Sequence, residues 1–352
     1  MKKHKILKNI GVVILIILIV IVGFLGYLTV KEYRPDPIED IQVPENEEMV
    51  SFDEEFTLMT YNIGYGSLSK DTDFFMDGGK NVQPESKEFV QKNMEGIQNV
   101  LRDNEADAYF LQEVDLNSKR TYQMNQKDYF EKETGMKGVF AYNFNSEIVP
   151  YPIPMIGHVE SGLHTMTNKK MDMAQRISLP ESFKWPVKTC NLKRCLMKTY
   201  LPIEGTDQEL VLVNFHLEAY DSGEGKIAQS KMLADILEEE YEKGNYVIAG
   251  GDFNQTFAQV DKYPIFNEEN WKPGVIEEES LPEGFRFAID DSYPTCRLLN
   301  APYTGDYETS QVYVLDGFIV SPNVEVKEVK VIDTDFEFTD HQPVKITFDF
   351  KK

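Results

Sequence analysis

Val247-Ile248-Ala249-Gly250-Gly251-Asp252-Phe253-Asn254 runs from apolar residues through two glycines to an acid and an amide. Side chains alternate along an extended segment. Asp252 and Asn254 are therefore expected on one face, with Phe253 turned into the core. Glycines at the end of a strand let backbone or ligand approach closely. The stretch predicts a carboxylate and an amide at the mouth of a sheet, and the rest of the chain must supply that sheet and their partners.

The chain has 352 residues, 41% hydrophobic and 12% aromatic, enough for one large domain or two modest ones. Strand-like and helix-like periodicities both occur, which favours an α/β or α+β class. Strands are expected over 56–63, 107–113, 139–144, 162–167, 176–179, 195–201, 209–216, 247–254, 293–297, 311–320 and 344–350. Helices are expected over 84–104, 126–134 and 227–242, the last with Ile227, Leu233, Ile236, Leu237 and Tyr241 on its apolar face. The segment 148–157 holds Pro150, Pro152 and Pro154 and cannot be regular structure. It reads either as a lid packed on the core or as a substrate rim or membrane-contacting loop.

The N-terminus is a separate piece. Lys2, Lys3, Lys5 and Lys8 precede a run without charge from Asn9 to Val30, long enough to cross a bilayer. The run is longer than the core of a cleaved signal peptide and lacks a small-x-small cleavage site. Residues 1–30 are therefore expected to form an uncleaved single-pass anchor in the cell membrane. The preceding lysines would hold the N-terminus in the cytoplasm and place the remainder outside; secretion after cleavage is the alternative. Residues 31–51 are rich in Pro and Glu and read as a spacer, with the catalytic domain over 52–352.

Net charge is −23; residues 1–34 carry six Lys/Arg and one Glu, a local +5 that leaves −28 for the remainder. So acidic a domain, with no basic stripe, offers no specific nucleic-acid surface, although a bound divalent cation can reverse the sign locally. Cys190, Cys195 and Cys296 show no zinc-type spacing; a local Cys190–Cys195 disulfide and three buried thiols both fit.

Polar candidates recur where apolar segments end: Asn62, Glu113, His216, Asp252 with Asn254, and Asp340-His341. Each alone has an ordinary reading as a turn, solvated or hydrogen-bonded residue. Asp316 differs, because it lies inside Val312-Tyr-Val-Leu-Asp-Gly-Phe-Ile-Val320, where an ionised carboxylate is costly unless paired. His341 is its natural partner. The mixture suits metal-assisted phosphoester hydrolysis. Glu113, Asp340 and the carbonyl of Asn62 offer oxygen ligands to a hard divalent cation. The Asn62 and Asn254 amides can donate to phosphate, a His–Asp pair can orient water, and a second histidine can donate to the phosphate.

In order along the chain, Tyr-Asn-Ile (61–63), Leu-Gln-Glu-Val (111–114), Asn-Phe-His-Leu (214–217), Gly-Gly-Asp-Phe-Asn (250–254), Leu-Asp-Gly-Phe (315–318) and Thr-Asp-His (339–341) resemble the endonuclease/exonuclease/phosphatase superfamily. The resemblance spans about 56–350. It implies a four-layer αββα sandwich of two mixed sheets and a hydrolase dependent on Mg²⁺, with Mn²⁺ as substitute. It further implies Glu113 as principal metal ligand, Asn62 on metal or phosphate, and Asp340 near the metal. His216 would contact the phosphate, Asn254 would bind it, and Asp252 would orient the attacking water or act as base. Asp316 would align His341, the residue we expect to take the proton.

His164 departs from the family's pattern and is an added candidate for substrate contact or a structural histidine. The segment 216–221, followed by Gln229, is similar to the sphingomyelinase-like branch, with Glu218 where Gln is usual. With the anchor and the acidic surface, this favours a lipid or small-molecule phosphoester as substrate. An extracellular nuclease and an inactive binding scaffold are the alternatives.

Overall fold

The computed structural model of the protein describes residues 2–221 and 223–351. Its longer strands form two mixed sheets laid face to face. From edge to edge, the six-stranded sheet contains Val324–Val331, Val344–Phe350, Phe56–Asn62, Ala108–Asp115, Gly157–Thr167 and Lys137–Val149. The seven-stranded sheet contains Ile38–Ile41, Met173–Ser178, Cys195–Pro202, Glu209–His216, Tyr246–Asp252, Asp316–Val320 and Arg286–Ala288. Each sheet has one parallel pair near its centre, Phe56–Asn62 with Ala108–Asp115 and Glu209–His216 with Tyr246–Asp252.

Alternation decides what fills the space between them. Leu58, Phe110, Ile346 and Phe348 from one sheet meet Leu212, Ile248, Phe318 and Val320 from the other, all buried. Burying each such side chain stabilises by about 1.5–3 kcal/mol over leaving it exposed. The outer faces are covered by helices. Lys87–Asp103 lays Val90, Met94, Ile97 and Leu101 on Met59, Tyr61 and Leu111, beside Phe130 of Gln126–Thr134. Glu224–Glu242 lays Leu233 and Leu237 on Val213, Val247 and Ala249. Ser86 and Asn125 cap the first two of these helices through their side-chain oxygens, and Gly135 ends the second in the left-handed conformation its φ of 71° requires. The expected four-layer arrangement is therefore present.

A polar link ties the sheets together beneath their shared edge. Gln112 Nε2 donates to Asn214 Oδ1 at 2.8 Å, and Asn214 Nδ2 reaches the His164 carbonyl at 3.2 Å; both side chains are fully buried. Such a network fixes one sheet against the other because its members cannot be left unpaired.

Some expectations need correction. The segment 31–51 is no free spacer before a domain that begins at 52. Ile38–Ile41 pairs with Met173–Ser178 as the edge strand of the larger sheet, and Val50 is buried in the core between the sheets. Pro35, Pro37 and Pro44 flank this strand rather than interrupt it, as an edge position allows. Ile227 is exposed, on the first turn of its helix. All three cysteines are free, buried thiols, so the Cys190–Cys195 disulfide is not formed. The residues around 148–157 are the tip of a hairpin whose strands, Lys137–Val149 and Gly157–Thr167, run longer than expected. Lys2–Lys31 is one continuous apolar helix, and among the described residues it is the helix long and apolar enough to cross a membrane.

Candidate active site

The parallel strand pairs end at the same edge of the sandwich. There Asn62 closes one strand, Glu113 lies near the end of the next, and His216 and Asp252 stand side by side in register. Asp316 opens the neighbouring antiparallel strand opposite Asp252. Asp340 and His341 arrive on the loop before Val344–Phe350, where His341 bridges to Cys296.

The glycines of the opening stretch permit this convergence. A Cβ on Gly251 would stand 1.9 Å from the Phe215 carbonyl oxygen, and one on Gly250 would stand 2.5 Å from the Phe318 ring. Phe253 is fully buried, as alternation predicts. The strand stops at Asp252, however, and Asn254 adopts a φ of 50°. Its backbone N–H then donates to Asp252 Oδ1 at 2.8 Å, and its Nδ2 donates to the Leu217 carbonyl at 2.8 Å. The acid and the amide meet through a turn, not through two steps of a strand. Asn tolerates this left-handed conformation better than most residues. Glu113 does not, yet it holds a φ of 57° at a bulge between Leu111 and Val114. The bulge re-aims its carboxylate into the cleft.

Asn62 joins the two sheets at the centre. Its Nδ2 donates to Asp252 Oδ2 at 3.1 Å and to Glu113 Oε1 at 3.3 Å, while its Oδ1 accepts from Gly64 N at 3.0 Å. The carbonyl expected to face a metal is thus turned to the backbone. Asp252 Oδ2 also lies 3.3 Å from His216 Nε2 and 3.6 Å from His341 Nε2. His341 Nδ1 bonds Asp316 Oδ2 at 2.8 Å, so Asp316 has the partner its apolar strand demanded. Asp252, Asp316 and His341 form a buried group whose ligand-type atoms lie within 4.8 Å of one another.

The proton distribution follows from burial and charge. Burial pushes the Asp252 carboxyl up to about 6 against the pull of His341, and burial likewise pushes Asp340 up to about 6. Glu113 is raised for the same reason, partly offset by Arg120 and His341. Burial and the nearby Arg194 and His341 hold His216 well below the usual histidine range, so it is neutral. Burial works against a charged His341, yet Asp316 foremost, then Cys296 and Asp252, hold it well above that range. His341 thus carries its proton at neutral pH.

A cavity of 360 Å³ opens over these groups. It brings together Glu113, His216, Asp252, Asn254, Asp340 and His341; Asn62 and Asp316 lie behind them. His164 is not in the cavity. It is buried against the Gln126–Thr134 helix, 3.2 Å from Glu131, in a structural role.

Several cavity residues were not anticipated from the sequence. Arg120 forms a two-pronged pair with Asp115 at 2.9 and 3.0 Å and stacks on Tyr65 at 3.6 Å. Arg194 donates to the His216 carbonyl at 3.0 Å and sits 3.5 Å from Glu218, which gives the unusual Glu218 a partner. Tyr220 donates to Asp77 at 2.9 Å across the cavity wall. The Asp115–Arg120 spacing was the one available hint; the other partners are distant in sequence.

The fold is similar to that of several solved structures. An endonuclease/exonuclease/phosphatase from Beutenbergia cavernae DSM 12333 aligns at 17% identity over 84% of this chain and 72% of that chain, with a TM-score of 0.58. One from Bacteroides vulgatus aligns at 15% identity over 85% and 100%, with a TM-score of 0.55. The human Nocturnin catalytic domain, with a bound sulfate anion, aligns at 15% over 84% and 94%, with a TM-score of 0.51. At these identities the likeness is one of fold. Comparison with curated proteins gives no match. The Endonuclease/Exonuclease/phosphatase family model matches residues 59–341, a span that takes in every site residue from Asn62 to His341, and the chain belongs to that family.

Proposed function

We propose that this protein is a divalent-cation-dependent hydrolase of phosphoester bonds, acting outside the cell on a lipid or small-molecule phosphoester. The observation that carries the reading is the Asp316–His341–Asp252 chain of contacts beside His216, Glu113 and Asp340 in one cleft. The extracytoplasmic location is supported by the lysines that precede the apolar helix.

The donor set fits a hard cation. Glu113 and Asp340 are oxygen donors that burial holds above the usual carboxylate range, which is the state a nearby positive charge would relieve. We infer Mg²⁺, with Mn²⁺ as a substitute. When bound, the cation would offset charge on the phosphoryl oxygens. The chain's own groups divide the remaining work. Asn62 holds Asp252 and Glu113 in place. Asn254 Nδ2 has the Leu217 carbonyl and only a 3.4 Å contact to Asp252, which leaves it able to donate to a phosphoryl oxygen. His216, neutral, can donate from Nε2. Asp252 orients the attacking water and takes its proton, and His341, kept cationic by Asp316, faces the phosphoryl group. This exchange concerns the proton alone: the accepting role expected of His341 passes to Asp252, which was expected to orient the water or act as base. What supports the exchange is that an imidazole already protonated at neutral pH cannot accept a proton, whereas a carboxylate near 6 can.

The test is a panel of sphingomyelin, a phosphoinositide, single- and double-stranded DNA and bis(p-nitrophenyl) phosphate, each with Mg²⁺ and with chelator. Cation-dependent hydrolysis of a lipid or small ester is expected. Hydrolysis of DNA alone would replace the substrate class with a nuclease's, and no hydrolysis of any member would support the binding-scaffold reading instead.

A further inference from the structure

The cleft extends beyond the strand-end residues. It runs outward along Phe75, Phe144, Val149, Ile156 and Leu192 to a mouth at Tyr151 and Val187. Around that mouth large apolar side chains face solvent: Ile153 is 94% exposed, Trp185 56%, Val187 45%, Met155 42% and Tyr151 38%. They come from the hairpin tip 150–156 and the loop 183–190.

Both segments adjoin the C-terminal end of the apolar helix Lys2–Lys31. Trp185 Nε1 donates to Thr29 Oγ1 at 3.0 Å, and Lys31 Nζ pairs with Glu147 of the hairpin at 3.2 Å. Just past the helix, the buried Glu32 pairs with the buried Lys193 at 2.9 Å, and Tyr33 packs edge-on against Tyr142, ring centroids 6.1 Å apart. The chain then enters the sheet directly as Ile38–Ile41. The helix is thus fixed to the cleft mouth by polar and aromatic contacts and carries no flexible tether that would let the mouth turn away from it.

We propose that the hairpin tip and the 183–187 loop are a bilayer contact that holds the cleft mouth on the membrane surface, so that the phosphoester of a membrane lipid enters the site from the bilayer. This rests on the hydrolase reading and on the helix spanning the membrane, and it narrows the substrate class to lipids. The lengths agree. The uncharged run from Asn9 to Val30 rises roughly 33 Å, close to the ~30 Å of a hydrocarbon core. That sets Lys31 at the interface, level with Trp185, the ring type that favours this depth. Lys31, Arg34 and Lys184 lie in the same region, where the head groups would be. A protein partner would need a second apolar surface; here the helix beside the rim already selects lipid. The charge of −28 beyond residue 34 disfavours an anionic surface and points to zwitterionic lipid.

The test uses the full chain reconstituted in vesicles of phosphatidylcholine and sphingomyelin. An environment-sensitive nitrobenzoxadiazole label is placed at Ile153→Cys and, as a control, at Glu328→Cys on the strand at the opposite edge of the six-stranded sheet. The label at 153 should emit at shorter wavelength and be quenched by spin-labelled lipid, and the label at 328 should report water. Water-like emission at 153 overturns the contact whatever the activity shows. In the same vesicles, Ile153→Asp should slow sphingomyelin or phosphatidylcholine hydrolysis roughly tenfold or more while leaving that of soluble bis(p-nitrophenyl) phosphate unchanged. Equal loss on both substrates, or on neither, overturns it, as does a wild-type enzyme that hydrolyses only the soluble ester. If the wild type hydrolyses neither, the hydrolase reading fails and the label alone decides the bilayer contact.

Discussion

Asp316 gives one oxygen to His341 Nδ1 at 2.8 Å and buries the other, Oδ1, without a hydrogen-bond partner. Its negative charge is what keeps His341 cationic. Asp316→Asn removes that charge while keeping the shape, and should lower the rate by on the order of 10²–10⁴-fold with little change in far-ultraviolet circular dichroism. A variant with wild-type rate contradicts the role. The proton-accepting role of Asp252 sets the pH profile. Its carboxyl is raised to about 6, so the rate should rise with pH and level off above that value, with the limb moved lower when a cation is bound. A rate that falls over the same window would contradict Asp252 as the acceptor. Asp316 was legible in the sequence because a carboxylate in so apolar a strand requires a partner. Arg194 and Tyr220 were not, because the partners that give them meaning, His216 and Asp77, come from other elements.

At the scale of elements, the glycine pair shows how local sequence serves a distant contact. Gly251 packs against the backbone of Phe215 on the parallel neighbour, and no side-chain rotation can make room for a methyl group there. Gly251→Ala should therefore lower unfolding stability by about 1–3 kcal/mol, seen as a lower urea midpoint; an unchanged midpoint would mean that the strands separate freely. The strands and helices that position the site were readable from apolar periodicity, since each has a buried face. Three strands of the two sheets were not, among them Arg286–Ala288, an edge strand only three residues long. Ile38–Ile41 lies among prolines and acids, and Val324–Val331 carries charges along its exposed positions; all three are sheet edges, where one side meets solvent and the pattern is weak. Glu113 shows the limit at a strand end: a positive φ on a glutamate has no local signature, and only the bulge reveals it.

The whole molecule concentrates buried carboxylates at one end. Asp252 and Asp340 are both raised to about 6 from a model-peptide value of 3.8. Between those values the folded state binds more protons than the unfolded chain, so these groups stabilise the fold at low pH and that contribution is lost as pH rises towards 6. A cation in the cleft should restore it where the carboxylates are ionised. Mg²⁺ is expected to raise Tm more at pH 7.5 than at pH 5, and an equal shift at both would place the ion elsewhere. The central claim is that Glu113, with Asp340, makes the cleft a cation-dependent phosphoester hydrolase. The most direct measurement is the initial rate on the best substrate of the panel, with Mg²⁺ and with chelator, for wild type and Glu113→Gln. The account predicts a rate that needs Mg²⁺ and that Glu113→Gln abolishes; a rate indifferent to both chelator and the substitution would contradict it.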